Sequence, residues 1–160
     1  KHVTGVQTCA LPICTARAEI LVLKVRLQTA ARFPFSSTQE TATELLKRVR
    51  GGKLTAELVH VRRQTLVNSG APSERLWVLD ERGKAWDSPR WARELGEMAD
   101  EGVRQVTLLV GAADGFDAKQ RQVANQLISL SPCVLPSWFA CVVCSVQVSR
   151  SEARPCGDTW

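Results

Sequence analysis

Apolar positions along this chain recur at two spacings, period two in short runs and period three to four in longer stripes, and the two alternate in a βαβ order. Ala18 to Val25 is a β-rich apolar run that reads as a first strand, placed at the sheet centre. Ser37 with Glu40 three residues on predicts a capping box. Ala42, Leu45, Leu46 and Val49 then follow at helical spacing until Gly51 and Gly52 end the helix. Leu54 to Val61 alternates as a second strand, and Leu76 to Leu79 predicts a third. That third strand closes on Asp80-Glu-Arg-Gly-Lys84, read as a charged turn where the chain leaves the sheet.

Ser88 is placed as the N-cap of the next helix, with Pro89 at its first position and Trp91, Ala92, Leu95, Met98 and Ala99 as its apolar stripe. Gly102 ends it, and Val106 to Val110 forms a fourth strand before Gly111. Asp117 is expected to cap a helix carrying Val123, Ala124 and Leu127, and a short strand at Ile128 to Leu130 leads into the loop Ser131 to Pro136. Phe139, Val142, Val143 and Val146 fit the i, i+3, i+4, i+7 stripe of a last amphipathic helix, although β-branched residues weaken that helix. This order predicts an α/β fold, a mostly parallel sheet flanked by helices.

Composition adds bounds. With 160 residues, 44% of them hydrophobic and 23% charged, the chain matches one soluble globular domain able to bury a core. No apolar run nears the ~18 residues of a membrane span. A net charge of +5 mildly favours an anionic partner. Residues 3–13 resemble the translation of a sequencing adapter, so 1–14 are set apart as an artefactual leader from a single domain over 15–160. The rival reading of that leader, a signal peptide, lacks a sustained apolar core, since Thr4, Gln7 and Thr8 interrupt it. Cys133, Cys141, Cys144 and Cys156 have no companion histidines, the two in the chain being His2 and His60, so zinc has little support. Cys141 and Cys144 form a C-x-x-C, but in an apolar stretch, which favours buried thiols over a redox pair and implies a reduced, cytoplasmic protein.

Several chemistries lose their footing on spacing. Gly111 and Gly115 follow a strand, yet G-x-x-x-G is not the dinucleotide fingerprint, and no P-loop is present. Ser129 and Ser131 have no nucleophile elbow and no histidine after them. Asp114 sits in a glycine-flanked turn, where geometry usually explains an aspartate. Trp86 and Trp91 could stack on a base, but a Trp on a helical stripe marks core. What remains is a ligand held by backbone and apolar contacts. That suits a methyl donor, which needs alignment with a nucleophile more than proton transfer.

Leu79-Asp-Glu-Arg-Gly-Lys84, Asp87-Ser88, Leu109-Val-Gly-Ala-Ala-Asp-Gly115 and Ser129-Leu-Ser131 with Leu135-Pro136 closely resemble the ribosomal RNA large subunit methyltransferase H family of the SPOUT superfamily. The match is ordered from about Arg75 to Pro136, weaker from Ile20 to Val61, and the connection 62–74 looks short. The resemblance implies a SPOUT-like sheet with a C-terminal trefoil knot and S-adenosylmethionine as cofactor. It also implies methylation of N3 of a pseudouridine in 23S ribosomal RNA, of the large subunit or the 70S ribosome, by a cytoplasmic homodimer with no membrane and no metal. Cofactor contacts carried over by position fall on Leu79, Gly111, Leu130, Ser131, Pro132, Cys133, Val134 and Leu135.

The chain departs from the family pattern mainly near its end. Ala112 replaces a second glycine, Val134 stands for Thr, and Ser137 for His. Cys141, Val146 and Ser149 stand at Arg, Glu and Tyr positions, while Gln147 and Arg150 match. The family's closing Pro-Tyr-His-Arg is replaced by Pro155-Cys-Gly-Asp-Thr-Trp160, so the resemblance assigns no catalytic residue. A degenerate tail over 137–160, from gene decay or an assembly error, gives the alternative: a SPOUT-like dimer that keeps cofactor or RNA binding without turnover.

Overall fold

A computed structural model describes residues 21–50, 52–62, 70–112 and 114–152. The leader, residues 18–20 of the expected first strand, Gly51, most of the 62–74 connection, Cys156 and the closing tail lie outside the described residues. The elements run β1 (Leu23–Thr29), α1 (Ser36–Lys47), β2 (Leu54–His60), β3 (Glu74–Ala85), α2 (Ser88–Asp100), β4 (Gln105–Val110), α3 (Ala118–Val123), β5 (Gln126–Ser129) and α4 (Ser137–Glu152). Among the described residues, five strands form one sheet in the order β2-β1-β4-β3-β5, and each neighbouring pair is parallel. β4 is therefore the central strand; β1 lies one place off centre, between β2 and β4.

Strand alternation decides the two faces. Leu23, Val25 and Leu27 of β1, Val106, Leu108 and Val110 of β4, and Trp77 of β3 point to the side where α1, α2 and α4 pack. Trp77, Trp86 and Trp91 meet edge to face there, with centroids 5.1 to 6.2 Å apart, so both tryptophans considered for stacking are core. The opposite face buries Leu76, Val78, Leu109 and Phe116 with Leu127 beside them. Toward β2 that face turns polar, and Glu57 takes Lys24 at 3.0 Å and Arg26 at 3.5 Å.

Where local signals misled, neighbours explain why. α1 starts at Ser36 after extended Phe35, so Ser37 falls inside the first turn and the expected capping box does not form. α2 is capped by Asp87, whose carboxylate accepts the Arg90 amide at 2.8 Å, which moves Ser88 and Pro89 one place inward from their expected roles. α3 ends at Val123 with no buried residue, and Leu127 belongs to β5 instead. β3 does not leave the sheet at Asp80. It pairs with β5 up to Leu79, swings out over 80–83, and pairs again from Lys84, with Ile128 facing both Leu79 and Lys84.

The last helix contradicts its expected stripe. Ala140, Cys141, Cys144, Ser145, Val148 and Ser151 face inward, while Phe139, Val142, Val143 and Val146 stay partly exposed. Small side chains win because α4 returns from the edge strand across β1 and β4 and wedges between α1 and α2, where only a thin helix face fits. Ser145 and Ser151 satisfy their buried hydroxyls by donating to the carbonyls of Cys141 and Gln147, four residues back.

Candidate functional site

The carboxyl ends of parallel strands leave backbone groups unpaired and gather the loops that follow, so a cleft there is the expected ligand site of an open α/β sheet. One cleft of about 1010 Å³ opens at that edge. Its walls are Ala30 to Arg32 after β1, Leu79 to Arg82 in the β3 excursion, Val110 to Ala112 with Asp114 to Phe116 after β4, and Ile128 to Ser131 with Cys133 to Trp138 around the loop between β5 and α4.

Seven of the eight expected cofactor contacts, Leu79, Gly111, Leu130, Ser131, Cys133, Val134 and Leu135, line this one cleft. Pro132 lies in the same loop but not on the wall. Local chemistry holds each wall in place. The Ser129 hydroxyl donates to the Ser131 carbonyl at 3.0 Å, and the Ser131 hydroxyl accepts the Cys133 amide at 3.0 Å, so two hydroxyls fold the loop back on itself. Gly111 lets the Phe116 ring close over it, since a Cβ there would lie 3.0 Å from that ring. Thr29, fully buried at the end of β1, accepts the Ala31 amide at 3.0 Å and so turns the chain into the cleft.

Charges on the walls are balanced. Asp80, Glu81 and Asp114 stand against Arg32, Arg82 and Arg121. Asp80 is the most deeply placed of the paired charges: its carboxylate lies 3.5 Å from Arg121 Nη1 and accepts the Arg82 amide at 2.9 Å. Beneath the cleft, burial pushes the Cys141 thiol up to about 11 and the Cys144 thiol well above its ordinary value. Both are free thiols held in the neutral form, which accords with packing and not with redox exchange. Among the described residues, no cluster of histidine, cysteine or carboxylate groups could hold a metal ion.

Reading the residues one at a time missed the wall formed by Ala30 to Arg32 and the part played by Arg121. The rule that sites lie at carboxyl ends of strands would have flagged the first, because Ala30 directly follows β1. Nothing local announces Arg121, whose partner Asp80 is 41 residues away.

The family model described as "Predicted SPOUT methyltransferase" matches residues 23–153. The chain belongs to that family. Its members are methyltransferases that use S-adenosylmethionine, and this chain is an enzyme of that class by descent. It is 35% identical over 111 residues to Ribosomal RNA large subunit methyltransferase H of Jannaschia sp., covering 69% of this chain and 77% of that protein. It is 37% identical over 124 residues to the protein of the same name from Chromobacterium violaceum, covering 76% and 78%. Its fold matches the crystal structure of a probable methyltransferase from Bordetella pertussis Tohama I with a TM-score of 0.55 at 15% identity, covering 86% and 98% of the two chains.

Proposed function

We propose that this chain transfers a methyl group from S-adenosylmethionine to N3 of a pseudouridine in 23S ribosomal RNA, on the large subunit or the 70S ribosome, as a cytoplasmic homodimer. The observation that carries the reading is the convergence of Leu79, Gly111 and the 130–135 loop, from three separate parts of the chain, on one cleft. The relatives named for a large-subunit ribosomal RNA methyltransferase supply the substrate class.

The cleft fits the cofactor by its own chemistry. Leu79, Leu130 and Leu135 offer apolar faces for a flat ring, and the folded-back 130–135 loop offers main chain beside them. S-adenosylmethionine supplies an electrophilic methyl group on a sulfonium. Transfer would break the sulfonium–methyl bond, leave S-adenosylhomocysteine and release to water the proton that N3 carries; the residues of this cleft contribute alignment and exclusion of bulk solvent. Arg32 and Arg82 on the exposed rim suit the phosphates of an RNA.

α4 supports the dimer and the knot in this proposal. Phe139, Val142, Val143 and Val146 form a partly exposed apolar face on a helix whose other side is buried, a surface that a second copy would cover. α4 also returns from edge strand β5 to pack between α1 and α2, which is consistent with the trefoil knot that the family resemblance implies.

Calorimetry with S-adenosylhomocysteine and transfer of labelled methyl to ribosomes lacking the modification test the reading together. Heat at sub-millimolar ligand and labelled 23S RNA are expected. No binding overturns it, and binding without transfer hands the chain to the degenerate alternative. Sedimentation of Val142→Glu should show a shift toward monomer.

A further inference from the structure

We propose that Asp80 and Arg121 are a positioning pair that sets the width of the cofactor cleft; this rests on the cofactor reading above. Asp80 directly follows Leu79, and its side chain is only 8% exposed, against 22% for Arg121. A carboxylate removed from water in this way needs partners. Asp80 Oδ2 faces Arg121 Nη1 at 3.5 Å, and Oδ1 accepts the Arg82 amide at 2.9 Å, which closes the excursion of β3 on itself.

The same Arg121 Nη1 donates to the Phe116 carbonyl. Phe116 is the far anchor of the Gly111 turn, its ring buried with Leu76, Val78 and Leu109 and closed on Gly111. One guanidinium therefore joins the two walls that come from β3 and β4. These walls have no strand pairing with each other beyond Leu79 and Val110, where the β3–β4 ladder stops.

α3 explains how Arg121 is delivered. It has six residues and buries none of them, too little to hold a helix by packing or propensity. A complete capping box orders it instead: Asp117 accepts the Gln120 amide at 2.7 Å, and Gln120 accepts the Asp117 amide at 2.9 Å. A short helix ordered by its cap, with Arg121 turned to the cleft, is a bracket for that arginine. Because the pair neutralises itself, it contributes shape and not net charge. Without it, a ligand must order both walls on binding and loses affinity accordingly.

The test is a double-mutant cycle on the full chain, reading S-adenosylhomocysteine affinity by calorimetry for Asp80→Asn, Arg121→Ala and the two together. Each single change should weaken binding about tenfold, with the double no worse than either single, because the two act as one unit. Arg121→Lys should recover part of the loss, and the KM for S-adenosylmethionine should rise far more than kcat falls. Unchanged affinity, or losses that simply multiply, overturns the pair. If wild type itself fails to bind, the cofactor reading is what has failed, and amide exchange then judges the pair without ligand. In Arg121→Ala, the Gly115 and Arg82 amides should exchange at least about tenfold faster while Val25 and Leu108 keep wild-type rates. Equal rates at all four overturn the brace, and faster exchange at all four shows global loss of stability and overturns it too.

Discussion

Replacing Gly83 by alanine tests whether the second pairing of β3 with β5 is as close as described. A Cβ at Gly83 would lie 2.5 Å from Ile128 N, 2.6 Å from Ile128 C and 2.7 Å from Leu127 C, all backbone atoms that no rotamer change can move. Relaxing the tightest of these to an ordinary contact of 3.4 Å requires β3 and β5 to part by roughly 1 Å. Overpacking of this kind costs about 1–3 kcal/mol. Losing one ladder hydrogen bond where Lys84 faces Ile128 adds about 1 kcal/mol, so Gly83→Ala should destabilise by about 2–4 kcal/mol. Urea unfolding followed by the fluorescence of Trp77, Trp86 and Trp91 reads this, since all three are buried in the main core. Gly96→Ala is the matched control: it lies inside α2 with nothing within 4 Å of the new methyl, and should stabilise by about 0.5–1 kcal/mol. Ile128 and Ser129 line the cleft, so S-adenosylhomocysteine affinity should fall in Gly83→Ala and hold in Gly96→Ala. If both variants unfold within about 0.5 kcal/mol of wild type, the close approach is refuted.

Trp91→Ala removes the most voluminous fully buried side chain among the described residues and should cost about 3–5 kcal/mol in the same unfolding assay. Asp117→Ala removes the cap of α3 and should cost about 1 kcal/mol while slackening the Arg121 bracket, visible as faster exchange at Gly115. The raised thiol of Cys141 makes stability depend on pH. Unfolded cysteine ionises near 9 and folded Cys141 near 11, so its contribution is complete below pH 9 and is lost as pH climbs to 11. Two units correspond to about 2.7 kcal/mol at most, and Cys144 adds to the fall in the same direction. Guanidinium unfolding at pH 8 and pH 10.5, compared with a Cys141→Ala, Cys144→Ala variant, should show a shallower decline in the variant; equal slopes would sink the assignment.

How much of the fold could be read in advance depended on how far away the deciding partner lay. β2 and β4 fall within a residue of their expected bounds, because alternation and a following polar break are written within the strand itself. α2 kept its stripe of Trp91, Leu95 and Ala99 for the same reason, and Asp87 displaced Ser88 as its cap by a single residue. β3 went wrong at Asp80, since a charged stretch is held in the sheet by β5, more than 40 residues on. α4 went wrong in its face. Both of its sides are nonpolar or small, so period alone could not say whether valines or cysteines meet the sheet.

Residue order by itself determined the alternation of strands and helices, the parallel α/β class and, through a set of ordered motifs, the family. These depend on local periodicity, turn residues and motif spacing, which the chain carries along its own length. Tertiary structure decided the strand order, the double pairing of β3 with β5 across 80–83, the small-residue face of α4 and the joining of Asp80 to Phe116 through Arg121. Each of those turns on which distant groups meet and how closely backbones can approach. That is a property of packing in three dimensions, and no window of sequence contains it.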